Sequence, residues 1–172
     1  MKAVGYRKSL PIEHEHALID IDVPEPRPSG RDLLVEVKAV SVNPVDTKVR
    51  RRAEPPEGEY KILGWDAAGI VREVGPEVTL FKPGDRVWYA GSIDRQGSNA
   101  ELQLVDERIV GPMPKSLDFA QAAALPLTSL TAWELMFDRL QIPRGGKTDA
   151  RLLVIGAAGG VGSIMVQLAR QL

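Results

Sequence analysis

Apolar and polar residues alternate along residues 33–40. Leu33, Val35, Val37 and Ala39 fall on one side of an extended chain, and Glu36 and Lys38 on the other. Alternation with a period of two predicts a strand with one buried face. Shorter apolar or alternating runs at residues 2–6, 17–23, 69–74, 86–89 and 101–105 predict further strands. Turn formers separate them, among them Pro24, Pro26 and Pro28 and the KPGD tetrapeptide at residues 82–85. Up to about Pro114 the pattern is that of an all-β domain with many turns.

After Ser116 the period changes. Asp118 and Gln121 stand at capping-box spacing. Leu130, Trp133, Phe137 and Leu140 recur at helical spacing and predict a helix over 127–140, ended by Pro143, Gly145 and Gly146. The apolar run RLLVI at residues 151–155 predicts a short strand buried on both faces of a parallel sheet. Gly156, Gly159, Gly160 and Gly162 separate it from a helix whose Val161, Met165, Leu168 and Leu172 share one apolar face. Small residues at a helix start let a bare backbone approach a pyrophosphate, which the free N–H groups and the helix dipole then attract. The strict G-x-G-x-x-G register would place glycines at 157, 159 and 162, and position 157 is Ala157. Two readings fit, a dinucleotide cradle and a tight strand-to-helix turn without ligand. The predicted strand before the turn and helix after it favour the cradle.

Composition narrows the partners. The chain has 172 residues, 44% hydrophobic and 26% charged, with a net charge of −1, enough apolar surface for one complete domain and a remainder. Near-neutral charge leaves no electrostatic footprint for nucleic acid or an anionic membrane, and no apolar run is long enough to span a bilayer. The opening MKAVGYRKSL lacks the apolar stretch of a signal peptide, so the cytoplasm is the expected compartment. There is no cysteine, and the only imidazoles are His14 and His16, flanked by Glu13 and Glu15 in a polar connection. Disulfides and thiolate metal sites are excluded, and no metal site is expected. Lys48, Arg50, Arg51 and Arg52 form a basic cluster offset by the AEPPEGE that follows, which reads as a solvated loop. Trp65 and Trp88 are candidates either for stacking against an acceptor or for the β core.

Five motifs follow one another along the chain: SVNPVDTKVR at 41–50, ILGWDAAGIVREVG at 62–75, FKPGDRVWYAG at 81–91, LPLTSLTAWELMFDRL at 125–140 and GAAGGVG at 156–162. Together they resemble the medium-chain dehydrogenase/reductase superfamily, and within it the zinc-type alcohol dehydrogenase-like proteins beside the quinone oxidoreductases. The resemblance implies an α/β protein with a GroES-like β-rich catalytic domain over residues 1–125. Residues 126–172 would open a Rossmann domain, incomplete here, with a strand, a glycine turn and a helix. It implies a nicotinamide in the cleft between the domains and hydride passing from NADPH, or NADH, to a quinone or another conjugated carbonyl. The residue that would select NAD or NADP lies about 20 residues beyond the glycine motif, past Leu172.

Site residues carry over position by position. Asn43 is the catalytic candidate: its counterpart lies near the nicotinamide ribose and the reacting ring, where it would contact cofactor and donate a hydrogen bond to charge developing on the substrate oxygen. Lys48 is a second catalytic candidate as proton or hydrogen-bond donor; quinone reductases often have Tyr there, and an exposed surface lysine is the alternative. Thr128 aligns with a cofactor-contacting Thr, against an ordinary helix-end cap. Gly156, Ala157, Gly159, Gly160, Val161 and Gly162 would hold the cofactor phosphates. Asp46 reads as structural, and Asp66 as bonded to backbone at the domain junction.

Zinc is tested by the same comparison. The C-H-x-D stretch of zinc-dependent relatives corresponds to Asn43-Pro44-Val45-Asp46, and their G-H-E stretch to Gly64-Trp65-Asp66. The remaining ligand position, near residues 126–128, has neither Cys nor His, and residues 88–110 lack a cysteine-rich structural-zinc lobe. A zinc-free enzyme is therefore expected. The alternative is a non-catalytic GroES-like module that binds a protein or ligand. A homo-oligomer is expected, with residues 154–172 packing their apolar faces against a neighbouring chain.

Overall fold

A computed structural model describes residues 1–145 and 151–172. They form two compact units, Met1–Ala124 and Leu125–Leu172. Among the described residues no helix is long and apolar enough to cross a membrane.

The first unit is built on two antiparallel sheets. The smaller joins β1 (Lys2–Tyr6), β2 (Ile19–Asp22) and β4 (Lys61–Ile62) in the order β2-β1-β4. The larger joins β3 (Asp32–Ser41), β5 (Asp66–Val74), β6 (Arg86–Ala90), β7 (Leu102–Asp106) and β8 (Val110–Pro112) in the order β7-β3-β5-β6-β8. Six of these strands answer the predicted runs, while the short β4 and β8 carry too few residues for a period to show. Two α-helices, α1 (Pro44–Arg52) and α2 (Phe119–Ala123), and a 3-10 turn, Glu107–Ile109, complete the unit. The capping box expected at the start of α2 is closed, Asp118 accepting from the Gln121 N–H at 2.8 Å and Gln121 from the Asp118 N–H at 3.1 Å.

The large sheet is apolar on both faces. Leu33, Val35, Ala67, Val71, Val87, Tyr89 and Val105 form one buried cluster, while Ala68 joins Met113, Ala122 and Ala123 in another. Adjacent Ala67 and Ala68 belong to different clusters, as strand alternation requires. The face predicted for β3 holds from Leu33 through Val37, but Ala39 packs with the second cluster. A register shift between Val37 and Ala39 breaks the alternation there, and one extra residue exchanges the faces.

Residues 44–52 correct the solvated-loop reading. They are helical, and Arg50 is buried, donating to the Leu10 carbonyl at 2.6 Å. Pro44 opens the helix, Asp46 lies in its first turn, and Arg50, Arg51 and Arg52 lie in its last. Each charge suits the dipole at its end, so the basic cluster is a helix C-terminus.

Two buried polar groups bind loops to the large sheet. Glu107, fully buried just after β7, accepts from Arg31 Nη1 at 2.7 Å and from the N–H groups of Thr79 and Leu80 at 2.9 and 2.7 Å. Burial pushes its carboxyl up, but those three donors outweigh it and hold it below the ordinary glutamate value. Tyr89 donates from its hydroxyl to Gln103 Oε1 at 2.8 Å, and burial pushes the phenol above its ordinary value.

In the second unit α3 (Pro126–Trp133) runs into a π-helical turn, Glu134–Arg139, and packs against α4 (Gly160–Gln171). Ala132, Met136, Phe137 and Met165 are buried between them, with Val161, Leu168 and Leu172 around them, so the apolar face predicted for α4 is the packed one. The face predicted for residues 127–140 is not. Leu130, Trp133 and Leu140 are exposed, and only Phe137 of the four is buried. The Leu140 N–H bonds the Leu135 carbonyl, a five-residue step that shifts the helix phase away from 3.6. Of the residues expected to end this helix, Gly146 lies outside the described residues.

The strand predicted at 151–155 is absent. Residues 151–154 belong to no strand or helix, Ile155 enters a turn, and Leu153 and Ile155 are 85% and 91% exposed. A strand requires a neighbour for its N–H and C=O groups, and the second unit has no other strand among its described residues.

Removing the Tyr89 hydroxyl leaves Gln103 Oε1 buried without that donor. Tyr89→Phe is expected to cost about 1–2 kcal/mol, read as a lower midpoint in chemical denaturation with an unchanged slope.

Candidate active site

Three buried polar side chains of the first unit, Asn43, Asp46 and Asp66, come together where β3 ends and β5 begins. The ladder pairs Ser41 with Asp66, so Asn43, two residues on, comes beside the Asp66 side chain. Asn43 Nδ2 donates to Asp66 Oδ2 at 2.8 Å, and the two residues are 7% and 0% exposed. Asn43 also caps α1. Its backbone N–H donates to Asp46 Oδ2 at 2.8 Å, and its main-chain carbonyl accepts from the Asp46 N–H at 3.0 Å. Burial pushes the Asp46 carboxyl above the ordinary aspartate value, against N–H donors from Asn43, Gly64 and its own backbone.

The 64–66 stretch is fixed from its other side by residues 97–99. Ser98 N–H donates to the Gly64 carbonyl at 3.0 Å and Asn99 N–H to that of Leu63 at 2.9 Å. Gly64 has φ +104°, and a Cβ there would lie 2.5 Å from Ser98 Oγ and 2.9 Å from the Asn99 nitrogen. Only glycine fits both the conformation and the gap. Trp65 is buried, and its Nε1, like Ser98 Oγ, has no hydrogen-bond partner among the described residues.

The candidates taken from sequence fare differently. Asn43 is buried, with its amide N–H turned toward Asp66. Asp46, read as structural, braces Asn43 directly. Lys48 is exposed on α1. Trp88 packs against the cluster of Ala68 and Met113. His14 and His16 are exposed with ring centroids 5.5 Å apart, and no group of three or more His, Cys, Asp or Glu among the described residues could hold a metal. The partnership of Asp66 with Asn43 escaped sequence reading, because 23 residues separate them and only the strand register brings them together.

In the second unit the glycine turn leads directly into α4. Gly159 precedes the helix without a side-chain cap, and Gly156 has φ +72°. A Cβ on Gly162 would strike the Gly156 carbonyl oxygen and lie 2.7 Å from Ala157 Cα. Gly156, Ala157, Gly159, Gly160, Val161 and Gly162 thus form a tight backbone turn at a helix N-terminus. Thr128 Oγ1 bonds the Leu125 carbonyl at 3.1 Å, and its methyl lies 3.0 Å from where a Gly160 Cβ would stand. Its hydroxyl therefore donates back to the carbonyl at the start of α3 while its methyl packs on the turn.

These features define a class: an antiparallel β domain with a buried Asn–Asp pair, followed in the chain by a tight glycine turn at a helix N-terminus. Residues 29–115 match the alcohol dehydrogenase GroES-like domain family. A zinc-type alcohol dehydrogenase-like protein of Staphylococcus epidermidis is 42% identical over 172 residues, covering 99% of this chain and 51% of that relative. A solved structure of a putative zinc-dependent alcohol dehydrogenase from Rhizobium etli superposes with a TM-score of 0.91 at 62% identity, covering 99% of this chain and 50% of that one. Escherichia coli quinone oxidoreductase complexed with NADPH superposes with a TM-score of 0.77 at 32% identity, covering 100% of this chain and 50% of that one. The chain belongs to the alcohol dehydrogenase GroES-like domain family, and so to the medium-chain dehydrogenase/reductase superfamily. It spans about half the length of these relatives.

The raised Asp46 pKa has a defined sign. Between the unfolded and folded values the native state binds more protons, so stability from this group is greatest in acid and is lost as pH rises through the folded pKa. Asp46→Asn removes the titration. The stability of the wild type minus that of the variant, from denaturation midpoints, is expected to fall as pH rises from about 4 and then level off.

Proposed function

We propose that the chain is the N-terminal part of an NAD(P)H-dependent oxidoreductase that reduces a quinone or another conjugated carbonyl without zinc. The observation that carries this reading is the glycine turn. Its backbone is packed too tightly for a Cβ at Gly162, and it opens onto the N-terminal N–H groups of α4. A bare backbone at a helix N-terminus fits the diphosphate of a dinucleotide. The E. coli quinone oxidoreductase complexed with NADPH supports the same cofactor class.

When bound, the nicotinamide supplies the hydride, and the chain's own residues bind and orient. Gly156, Ala157, Gly159, Gly160, Val161 and Gly162 hold the phosphates through backbone N–H groups, and Thr128 supports the turn at Gly160. Asn43 is the candidate for contact with cofactor and substrate oxygen, and Lys48, exposed on α1, is the candidate proton donor. The catalytic part is residues 1–125 and the cofactor-binding part residues 126–172, one residue from the division between the compact units.

Zinc independence rests on donor chemistry. Trp65 occupies the position of a histidine ligand, and an indole N–H is a donor with no lone pair for a metal. Asn43 replaces a cysteine ligand, and its amide is engaged with Asp66. The names of the staphylococcal and R. etli relatives pull toward zinc. The residues at these two positions support the opposite for this chain.

Titrating the 172-residue chain with NADPH, followed by quenching of tryptophan fluorescence against a free-tryptophan control, tests the cofactor class. Saturable binding is expected, weakened at least about tenfold in Gly162→Ala with helix content retained by circular dichroism. Absence of binding by the wild type would mean that this chain does not form the cofactor site by itself and that the function belongs to a longer protein. Equal binding by Gly162→Ala would remove the turn from the site. Addition of zinc should change neither affinity nor thermal midpoint.

A further inference from the structure

Ala132 is buried against α4, and α-helical spacing from it puts the next inward places at Leu135 and Met136, three and four residues on. The structure departs from this by one residue. Met136 and Phe137 are the buried pair, 0% and 9% exposed, while Leu135 stands 38% exposed. The cause is the π-helical turn over Glu134–Arg139, in which the Leu140 N–H reaches back to the Leu135 carbonyl at 3.0 Å. Such a turn holds one residue more than an α-turn, so the chain after it is set back by one place against α4.

Leu135, Met136 and Phe137 are three apolar residues in a row for two inward places. With the π turn the inward pair is Met136 and Phe137, and with an unbroken α-helix it is Leu135 and Met136. Both pairs are apolar, and Glu134 and Asp138, at the ends of the run, stay outside in either case. The opposing effects are small. The π register buries a phenylalanine in place of a leucine, which adds only a little apolar area. It also brings the Trp133 and Phe137 rings to 4.4 Å between centroids and sets the Arg144 guanidinium over both, at 5.1 and 5.4 Å. The α register regains the hydrogen-bond pattern that helices overwhelmingly prefer to the π form.

We propose that residues 134–140 form a one-residue ratchet on α4, exchanging between the π register, with Met136 and Phe137 inward, and an α register, with Leu135 and Met136 inward. Packed helices move in discrete steps of this kind, because side chains must leave one set of gaps to enter the next. In the α register Arg139 takes the place of Leu140, and the connection toward Arg151 gains one residue. Phe137 turns outward, and the Arg144 clamp over the two rings opens. The ratchet thus couples the packing of α3 on α4 to the length of chain that leads to the exposed Leu153 and Ile155.

The test is a double-mutant cycle in the 172-residue chain: Leu135→Gln, Phe137→Gln and the pair. Hydrogen exchange of the α4 amides reads the packing of the second unit by itself. Leu135→Gln should lower their protection by less than about threefold, because Leu135 lies outside the core in the π register. Phe137→Gln should lower it by at least about tenfold and move the segment to the α register. There the Leu140 N–H bonds the Met136 carbonyl, and the Leu135 methyl groups show nuclear Overhauser effects to Met165. The double variant lacks an apolar residue for one inward place in either register, so its loss should exceed the product of the single losses by at least about tenfold. Losses that simply multiply, or a folded Phe137→Gln chain whose Leu135 stays outside, overturn the ratchet. If Phe137→Gln unfolds the second unit, deletion of Leu135 decides. It converts the π turn into an α-turn with Met136 and Phe137 in their present places, so wild-type protection of α4 is expected. Loss of that protection overturns the proposal, because α geometry then does not fit this face.

Discussion

The pairing of Ser41 with Asp66 at the end of the β3–β5 ladder is the constraint on which the first unit depends. Asp66 starts the central strand, and Asn43 ends the turn out of its neighbour, so one register sets both the sheet and the start of α1. A slip of one residue would move Asp66 to the opposite face of the sheet, leaving a buried carboxylate without the Asn43 amide. The desolvation of Asp66 and Asp46 is tolerated because each acquires N–H donors from an element that the same register has already placed.

Buried polar groups in this unit act chiefly at boundaries between elements. Glu107 gathers the backbone of residues 79–80 and the Arg31 side chain at the end of β7, and Arg50 joins α1 to the segment at Leu10. Each satisfies backbone or side-chain groups that no ladder could reach. The apolar clusters supply most of the burial, while the polar contacts decide where loops attach. The Asn43–Asp66 pair is of this kind, joining the turn after β3 to the start of β5.

The second unit is held together differently. Its core is a contact between two helices, and the apolar residues at 151–155 stand largely outside it. The packing of α3 against α4 nonetheless gives the glycine turn its shape, because Thr128 presses on Gly160 and Gly162 lies against the Gly156 carbonyl. The shape of the turn thus depends on local backbone contacts and persists without a strand before it.

Six strands, the capping box of α2, the packed face of α4 and the glycine turn were legible in the sequence, because each is specified by neighbours within a few residues. Period, cap and turn chemistry are local signals, and the ordered motifs pointed to the superfamily. Tertiary structure alone decided the rest. The strand at 151–155 failed because pairing needs a partner strand, which no local pattern supplies. Ala39 changed faces because a bulge depends on the opposing strand, and Leu130, Trp133 and Leu140 turned outward because a π-helical turn shifted their phase. The orientation of the Asn43 amide could not be read at all from its own segment. It is imposed by Asp66, 23 residues away, and a hydrogen bond across that separation exists only once the register between β3 and β5 has formed.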